Sequence, residues 1–369
     1  MSKRLTLALV ALMVSLSLIM AACAPAPTEA PTEPPAPTAV PTEAPPTEAP
    51  TAAPPTPTPP PPPVCDLLAS APPVPAAGEL GSADNPVVIT FVPSGDTGKI
   101  TKAGTAIADC LTTMTGLAYK MEVGTSFAAS IEAMGAEKAQ VSFLNTLSAL
   151  LAASKYQVYP VLLAIRKYNT NDVDPDAALA GEPKPFYKGQ FIANVDSGVT
   201  AFADLKGKSF CWVDPNSTSG YVMPRIILKA NGIDPDVDFS SVTNAGSHDN
   251  VAIAVYNGDC DAGVTFVNVL TDSVANLAAT YPDIAEKVTP FAVTDRIPND
   301  GMQVIAGLDP AIRDAIVDGI LFMTQDPGGK AVLKGLYNYD SLVAVEPNTY
   351  DEFLGVLTKA GIDPAELVK

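Results

Sequence analysis

The chain has 369 residues, 47% of them hydrophobic, and a formal net charge of −18 at pH 7. That acidity argues against a nucleic-acid partner and against a basic face lying on a membrane; it leaves room for an anionic ligand held by a local ring of donors. Five cysteines and a single histidine include no CxxC and no histidine cluster, so no metal site is expected.

The first 23 residues read as an export signal. Lys3 and Arg4 form a positive start, residues 5–19 are an almost unbroken apolar run, and Met20-Ala21-Ala22 places small residues before Cys23. That is the layout of a secretory signal. It resembles a bacterial lipobox, with Met20 where Leu usually stands. The expectation is a signal peptide over 1–22, a lipidated Cys23 and a mature chain held outside the cell membrane by that lipid. An uncleaved anchor is the other reading, since the run is just long enough to span a bilayer. Residues 24–64 are mostly Pro, Thr, Ala and Glu without an apolar period. They are expected to stay extended and solvated, a stalk reaching on the order of 100 Å.

From Cys65 onward, short β-rich runs alternate with helical ones. A buried strand over 87–92 ends at Pro93-Ser94-Gly95-Asp96. Helices over 103–114, 127–137 and 147–153 alternate with strands over 119–123, 140–143 and 158–165. After a polar stretch, 169–184, a second series begins. Its strands are 191–195, 209–213, 241–244 and 261–266; its helices are 219–230, 250–257 and 269–280, with Pro224 in the second turn of the first. One further strand, 301–305, precedes terminal helices. Such alternation predicts βαβ units and mostly parallel sheets, arranged as two α/β lobes with a cleft between them. Four cysteines in this part, Cys65, Cys110, Cys211 and Cys260, allow three pairings, and disulfides persist outside the membrane.

The most informative stretch runs from Trp212 through Asp214-Pro215-Asn216-Ser217-Thr218-Ser219-Gly220 to Tyr221. A strand ends, three hydroxyl residues follow, and a helix begins. Unpaired N–H groups and the helix dipole favour negative charge there, so the three hydroxyls suit an oxyanion cradle. A plain helix cap is the competing reading. The one histidine, His248, sits at the next strand-to-helix turn. It is either a solvated loop residue or a donor facing the cradle, since ligands collect at the C-terminal edge of open α/β sheets. No nucleophile, base and orienter set is visible, nor a P-loop or GxGxxG fingerprint. No catalysis and no cofactor are expected.

Residues 214–220, then Asn244-Ala245-Gly246-Ser247-His248-Asp249, then Asn257-Gly258-Asp259-Cys260-Asp261-Ala262-Gly263, then Ile297-Pro298-Asn299-Asp300 occur in order. The set resembles the phosphate/phosphite/phosphonate substrate-binding proteins of ABC importers, over roughly 87–340. The resemblance implies a type II periplasmic-binding-protein fold with a hinge: a first lobe from 65–188, a second from 189–288, and a return to the first lobe over 289–369. It implies that Ser217, Thr218 and Ser219 hold phosphonate oxygens, that His248 donates another hydrogen bond, and that Phe127 closes from the first lobe. Phe127 and Leu144 stand where the family has tyrosines, and Asn268 where aminoalkylphosphonate binders carry Glu. Asp300 matches the family's other acidic position, where a carboxylate wants a P–OH or an ammonium. With Asn268 in place of Glu, the expectation is a small, non-aminated ligand such as phosphite or an alkylphosphonate. Implied partners are an ABC permease and ATPase, or in the alternative a sensor system; sulfonate and phosphate are alternative ligands. Bridges that stay within lobes leave a hinge free, which favours Cys65–Cys110 and Cys211–Cys260.

Overall fold

The computed structural model describes residues 59–362. The signal-like run, Cys23 and the stalk up to residue 58 lie outside them. The first series is β1 (Val87–Phe91), α1 (Thr97–Thr115), β2 (Tyr119–Val123), α2 (Phe127–Gly135), β3 (Val141–Leu144), α3 (Thr146–Tyr156) and β4 (Tyr159–Lys167). Short strands β5 (Pro183–Lys184) and β6 (Phe186–Tyr187) lead to β7 (Gly189–Asn194) and β8 (Ser209–Trp212). Then come α4 (Met223–Ala230), β9 (Ser241–Asn244), α5 (His248–Asn257), β10 (Ala262–Phe266), α6 (Ile284–Lys287) and β11 (Val288–Val293). The chain finishes with β12 (Ile297–Pro298), β13 (Gly301–Val304), α7 (Pro310–Met323), α8 (Pro327–Tyr337), β14 (Ser341–Ala344) and α9 (Asp351–Lys359).

The strands form two separate sheets. One has the order β14-β4-β13-β3-β1-β2, with β5 added to β4; the other has the order β11-β7-β10-β8-β9. A two-stranded ribbon, β6 with β12, joins the two crossings between them. The architecture is that of two α/β lobes with a cleft, as expected. The sheets are mixed rather than mostly parallel. β13 runs antiparallel between β3 and β4, and β14 antiparallel to β4, because both arrive from the returning chain rather than from a βαβ crossover. In the second sheet β7 is antiparallel to both neighbours.

Each lobe has an aromatic core. Phe91 stacks on Phe143 with ring centroids 5.2 Å apart, and Phe143 meets Tyr339. In the second lobe Phe210 packs between Trp212 and Phe239. Cys65 is bonded to Cys110 on α1, and Cys211 on β8 to Cys260. Both bridges are internal to a lobe, so neither crosses the β6–β12 ribbon.

Three local expectations change. No helix forms over 269–280. Asp272 instead accepts the N–H groups of Val274 and Ala275, both at 2.9 Å, and Asn268 and Asn276 adopt left-handed backbone, leaving turns and one short 3₁₀ segment. Pro224 does not sit inside a regular α-helix: the turn ahead of it, Thr218–Val222, winds as a π-turn, and α4 starts only at Met223. The end of the stalk is not free: Val64 N–H donates to Asp326 at 3.1 Å, and a Cβ on Gly328 would lie 2.4 Å from the Pro62 carbonyl. Residues 62–64 are thus seated on the first lobe at the start of α8.

Candidate functional site

The segment after β8 does three different jobs with three successive hydroxyls. Thr218–Val222 winds as a π-turn ahead of α4, and Ser217 caps it by accepting the Gly220 N–H at 3.1 Å. Gly220 is required there, because a Cβ would lie 2.3 Å from a Val213 methyl. Ser217 and Ser219 line a cavity of about 130 Å³ between the lobes. Thr218 does not. Its hydroxyl accepts the Leu147 N–H and Asn145 Nδ2, both at 2.9 Å, and so bridges to the first lobe. The expected three-hydroxyl cradle is therefore two hydroxyls and a bridge.

His248 is the first residue of α5, 5% exposed, and lines the same cavity. Its Nδ1 accepts the Phe266 N–H at 3.0 Å, which puts the ring proton on Nε2. Burial pushes its pKa down to about 3, so the ring is a neutral donor across the ordinary pH range. The His248 backbone N–H donates to Ser94 O at 3.0 Å, a second bond between lobes. Phe127, 1% exposed, lines the cavity from the first lobe.

The other expected ligand residues are placed differently. Asp300 reaches the cavity but is already paired: Arg166 Nη2 lies 2.7 Å from Oδ1, and the Tyr339 hydroxyl donates to Oδ2 at 2.7 Å. It is not a free carboxylate waiting for an ammonium or a P–OH. Asn268 is not part of the cavity wall; its side chain donates to the Thr170 carbonyl and its N–H to Gln190 Oε1. Leu144 is fully buried beneath the site rather than in it.

Arg166 is the main residue that the sequence reading passed over. It lies near the end of β4, between the rings of Tyr339 and Tyr187, 4.8 and 5.8 Å from their centroids. Its Nε donates to Tyr337 O at 3.0 Å and Nη1 to Asn299 Oδ1 at 2.8 Å. A guanidinium has five N–H bonds, so one on each terminal nitrogen has no partner among the described residues. An arginine closing the apolar run of β4 was the available signal. The Tyr187 hydroxyl, held protonated by burial with its pKa pushed up to about 12, donates to Ser219 Oγ at 3.4 Å. Asn145, Lys99 and Asp249 also line the cavity. The arrangement can surround a small oxyanion with donors from both lobes: two hydroxyls, a neutral imidazole N–H and an arginine.

A family model described as "ABC transporter, phosphonate, periplasmic substrate-binding protein" matches residues 89–350. The chain belongs to that family. Members are substrate-binding transport proteins rather than enzymes, of the extracytoplasmic kind. The phosphate-import protein of Mycolicibacterium smegmatis is 26% identical over 187 residues, 49% of this chain and 54% of that protein. The phosphonates-binding periplasmic protein of Escherichia coli is 26% identical over 216 residues, 57% of this chain and 58% of that one. The family member described here thus aligns with little more than half the length of those two relatives. A Prochlorococcus marinus protein solved in complex with methylphosphonate shares the fold, with a TM-score of 0.62 at 18% identity. That match covers 74% of this chain and 98% of the other.

Proposed function

We propose that this chain is the receptor of an ABC importer, tethered by a lipid on Cys23, and that it captures a small phosphorus oxyanion by closure of its two lobes. The observation that carries the reading is the convergence of Ser217, Ser219, the His248 Nε2–H and Arg166 on one inter-lobe cavity. Donors fixed in place before binding suit an anion whose charge is spread over several oxygens. At about 130 Å³ the cavity is small against the ~300–1,000 Å³ typical of drug-sized ligands. The cleft between hinged lobes supplies the closure, and the signal-like segment with its stalk supplies a tether.

Titration calorimetry with phosphite, methylphosphonate, 2-aminoethylphosphonate, phosphate and a sulfonate tests the ligand. Binding of at least one phosphorus oxyanion is expected. Ser219→Ala should weaken it by roughly 10- to 150-fold, the loss of one hydrogen bond to a charged group. Binding of none of them overturns the reading, as does unchanged affinity in the variant. The tether is tested by fractionation: Cys23→Ala should move the chain from the membrane fraction to the soluble one, and retention in the membrane would refute a lipid on that residue.

A further inference from the structure

The two crossings between the lobes carry a charge cluster that the cavity does not use. β6 and β12 pair Tyr187 with Ile297, so the next positions outward, Lys188 and Arg296, face each other at the second-lobe end of the ribbon. Lys188 belongs to that lobe, because its carbonyl accepts the Val267 N–H at 2.9 Å, just past β10. Two cations opposed across strands repel. The Lys188 side chain is also only 4% exposed, where an ammonium without a partner is costly. Carboxylates from the segment between β4 and β5 hold both. Asp174 Oδ1 lies 2.8 Å from Lys188 Nζ, and Asp176 Oδ2 lies 2.9 Å from it. Asp176 also takes Arg296 on both oxygens, from Nε at 3.0 Å and Nη2 at 2.9 Å. The Asp176 N–H donates to Asp174 Oδ1 at 2.9 Å, which sets the two carboxylates side by side.

The segment that supplies them is rooted in the first lobe. β5 pairs antiparallel with β4, the Tyr168 N–H donates to Glu182 O at 2.8 Å, and the Gly181 N–H donates to Tyr168 O at 3.0 Å. Its outer part reaches the other lobe. Asn171 Nδ2 donates to Gln190 Oε1 on β7 at 2.8 Å, and the Thr170 carbonyl accepts from the Asn268 side chain. None of Asp174, Asp176, Lys188 and Arg296 lines the cavity. A first-lobe segment therefore grips both crossings at their second-lobe ends, away from the ligand cavity.

We infer that residues 169–182 form a hinge clasp: Asp174 and Asp176 are positioning residues that, through Lys188 and Arg296, hold the lobes near their closed angle before a ligand arrives. The inference rests on the closure reading above. A receptor already held near its binding form spends less free energy on capture, so the clasp adjusts affinity without touching the ligand.

Hydrogen-exchange mass spectrometry on the full chain without ligand tests it. The Leu147 and His248 N–H groups lie in the first turns of α3 and α5, where no intrahelical acceptor exists. Their acceptors, Thr218 Oγ1 and Ser94 O, are on the opposite lobe, so their exchange reports opening. Asp176→Asn should speed exchange at both by about tenfold, the loss of charge-assisted bonds discounted for partial exposure, while β1 keeps the parent rate. Asp176→Glu keeps the charge and should stay within about threefold of the parent. Arg296→Gln removes only the outer half, 46% exposed, and should move the same two amides in the same direction. Unchanged exchange at Leu147 and His248 in Asp176→Asn and Arg296→Gln overturns the clasp. So does a Glu variant as fast as the Asn one, or an acceleration that extends to β1, which is ordinary destabilisation. No ligand enters the measurement, so failure of the oxyanion reading leaves this result untouched, and failure of the clasp leaves that reading standing.

Discussion

Ser217, Thr218 and Ser219 are neighbours of similar chemistry, each about 1% exposed, yet their hydroxyls serve a cap, a bridge and a cavity. The bridge makes Thr218 a residue of closure rather than of ligand contact. When the lobes separate, water can replace its hydroxyl on Leu147 N–H; when they close over Val at this position, two buried donors are left without an acceptor. An unsatisfied buried donor costs about 1–3 kcal/mol, and only the closed form incurs it. Thr218→Val should therefore weaken ligand binding by roughly 5- to 150-fold, while Thr218→Ser keeps the acceptor and stays near the parent value. Calorimetry on the two variants checks this, and equal affinities for Val and Ser would refute the bridge. Arg166 shows the converse, a charge made useful by neutralisation. Paired with Asp300 and flanked by two tyrosine rings, it is fixed in direction while still offering two N–H bonds.

Among the elements, those whose pattern is local were readable and those built by chain return were not. The apolar run of β1 and the strand–turn–helix passage after β8 carry their own signals: buried residues in sequence, then hydroxyls at a helix start. His248 at the N-terminus of α5 was readable for the same reason. β14 is four residues with only Leu342 fully buried, too short to show a period. The direction of β13 depends on the partners it finds, which no local pattern records. The expected helix over 269–280 had apolar residues enough, but two asparagines tolerate left-handed backbone and Asp272 captures backbone donors before a helical turn can. The site divides along the same line. Ser217, Ser219 and His248 sit on turns that announce themselves, whereas Arg166, Asn145 and Asp249 acquire their roles only when β4, the end of β3 and α5 meet across the cleft.

On the scale of the whole molecule, each lobe is stapled internally, and the lobes meet through apolar packing and through polar contacts that can open. Cross-cleft bonds run from Ser94 to His248, Leu147 to Thr218, Lys99 to Val274 and Ala275, and Asn338 to Asp272. Two buried titratable neighbours then give opposite pH slopes. His248 is protonated near 6.5 when unfolded and near 3 when folded, so between those values the unfolded chain binds more protons and stability rises with pH. Asp249 has its folded pKa raised, from 3.8 to about 6. Its contribution is present below 3.8 and is lost as pH rises through about 6, because the buried carboxylate must then be ionised. A shift of that size corresponds to an upper bound of about 3 kcal/mol. Asp249→Asn removes the charge without removing the shape. In ligand-free protein the variant should melt several degrees above the parent at pH 7.5, at roughly 2 °C or more per kcal/mol for a chain this long. The advantage should vanish near pH 4, where the parent carboxyl is itself neutral in the folded state. Thermal melts of both proteins at the two pH values decide it: a variant no more stable at pH 7.5 than at pH 4, relative to the parent, would mean that Asp249 is compensated in the closed cavity.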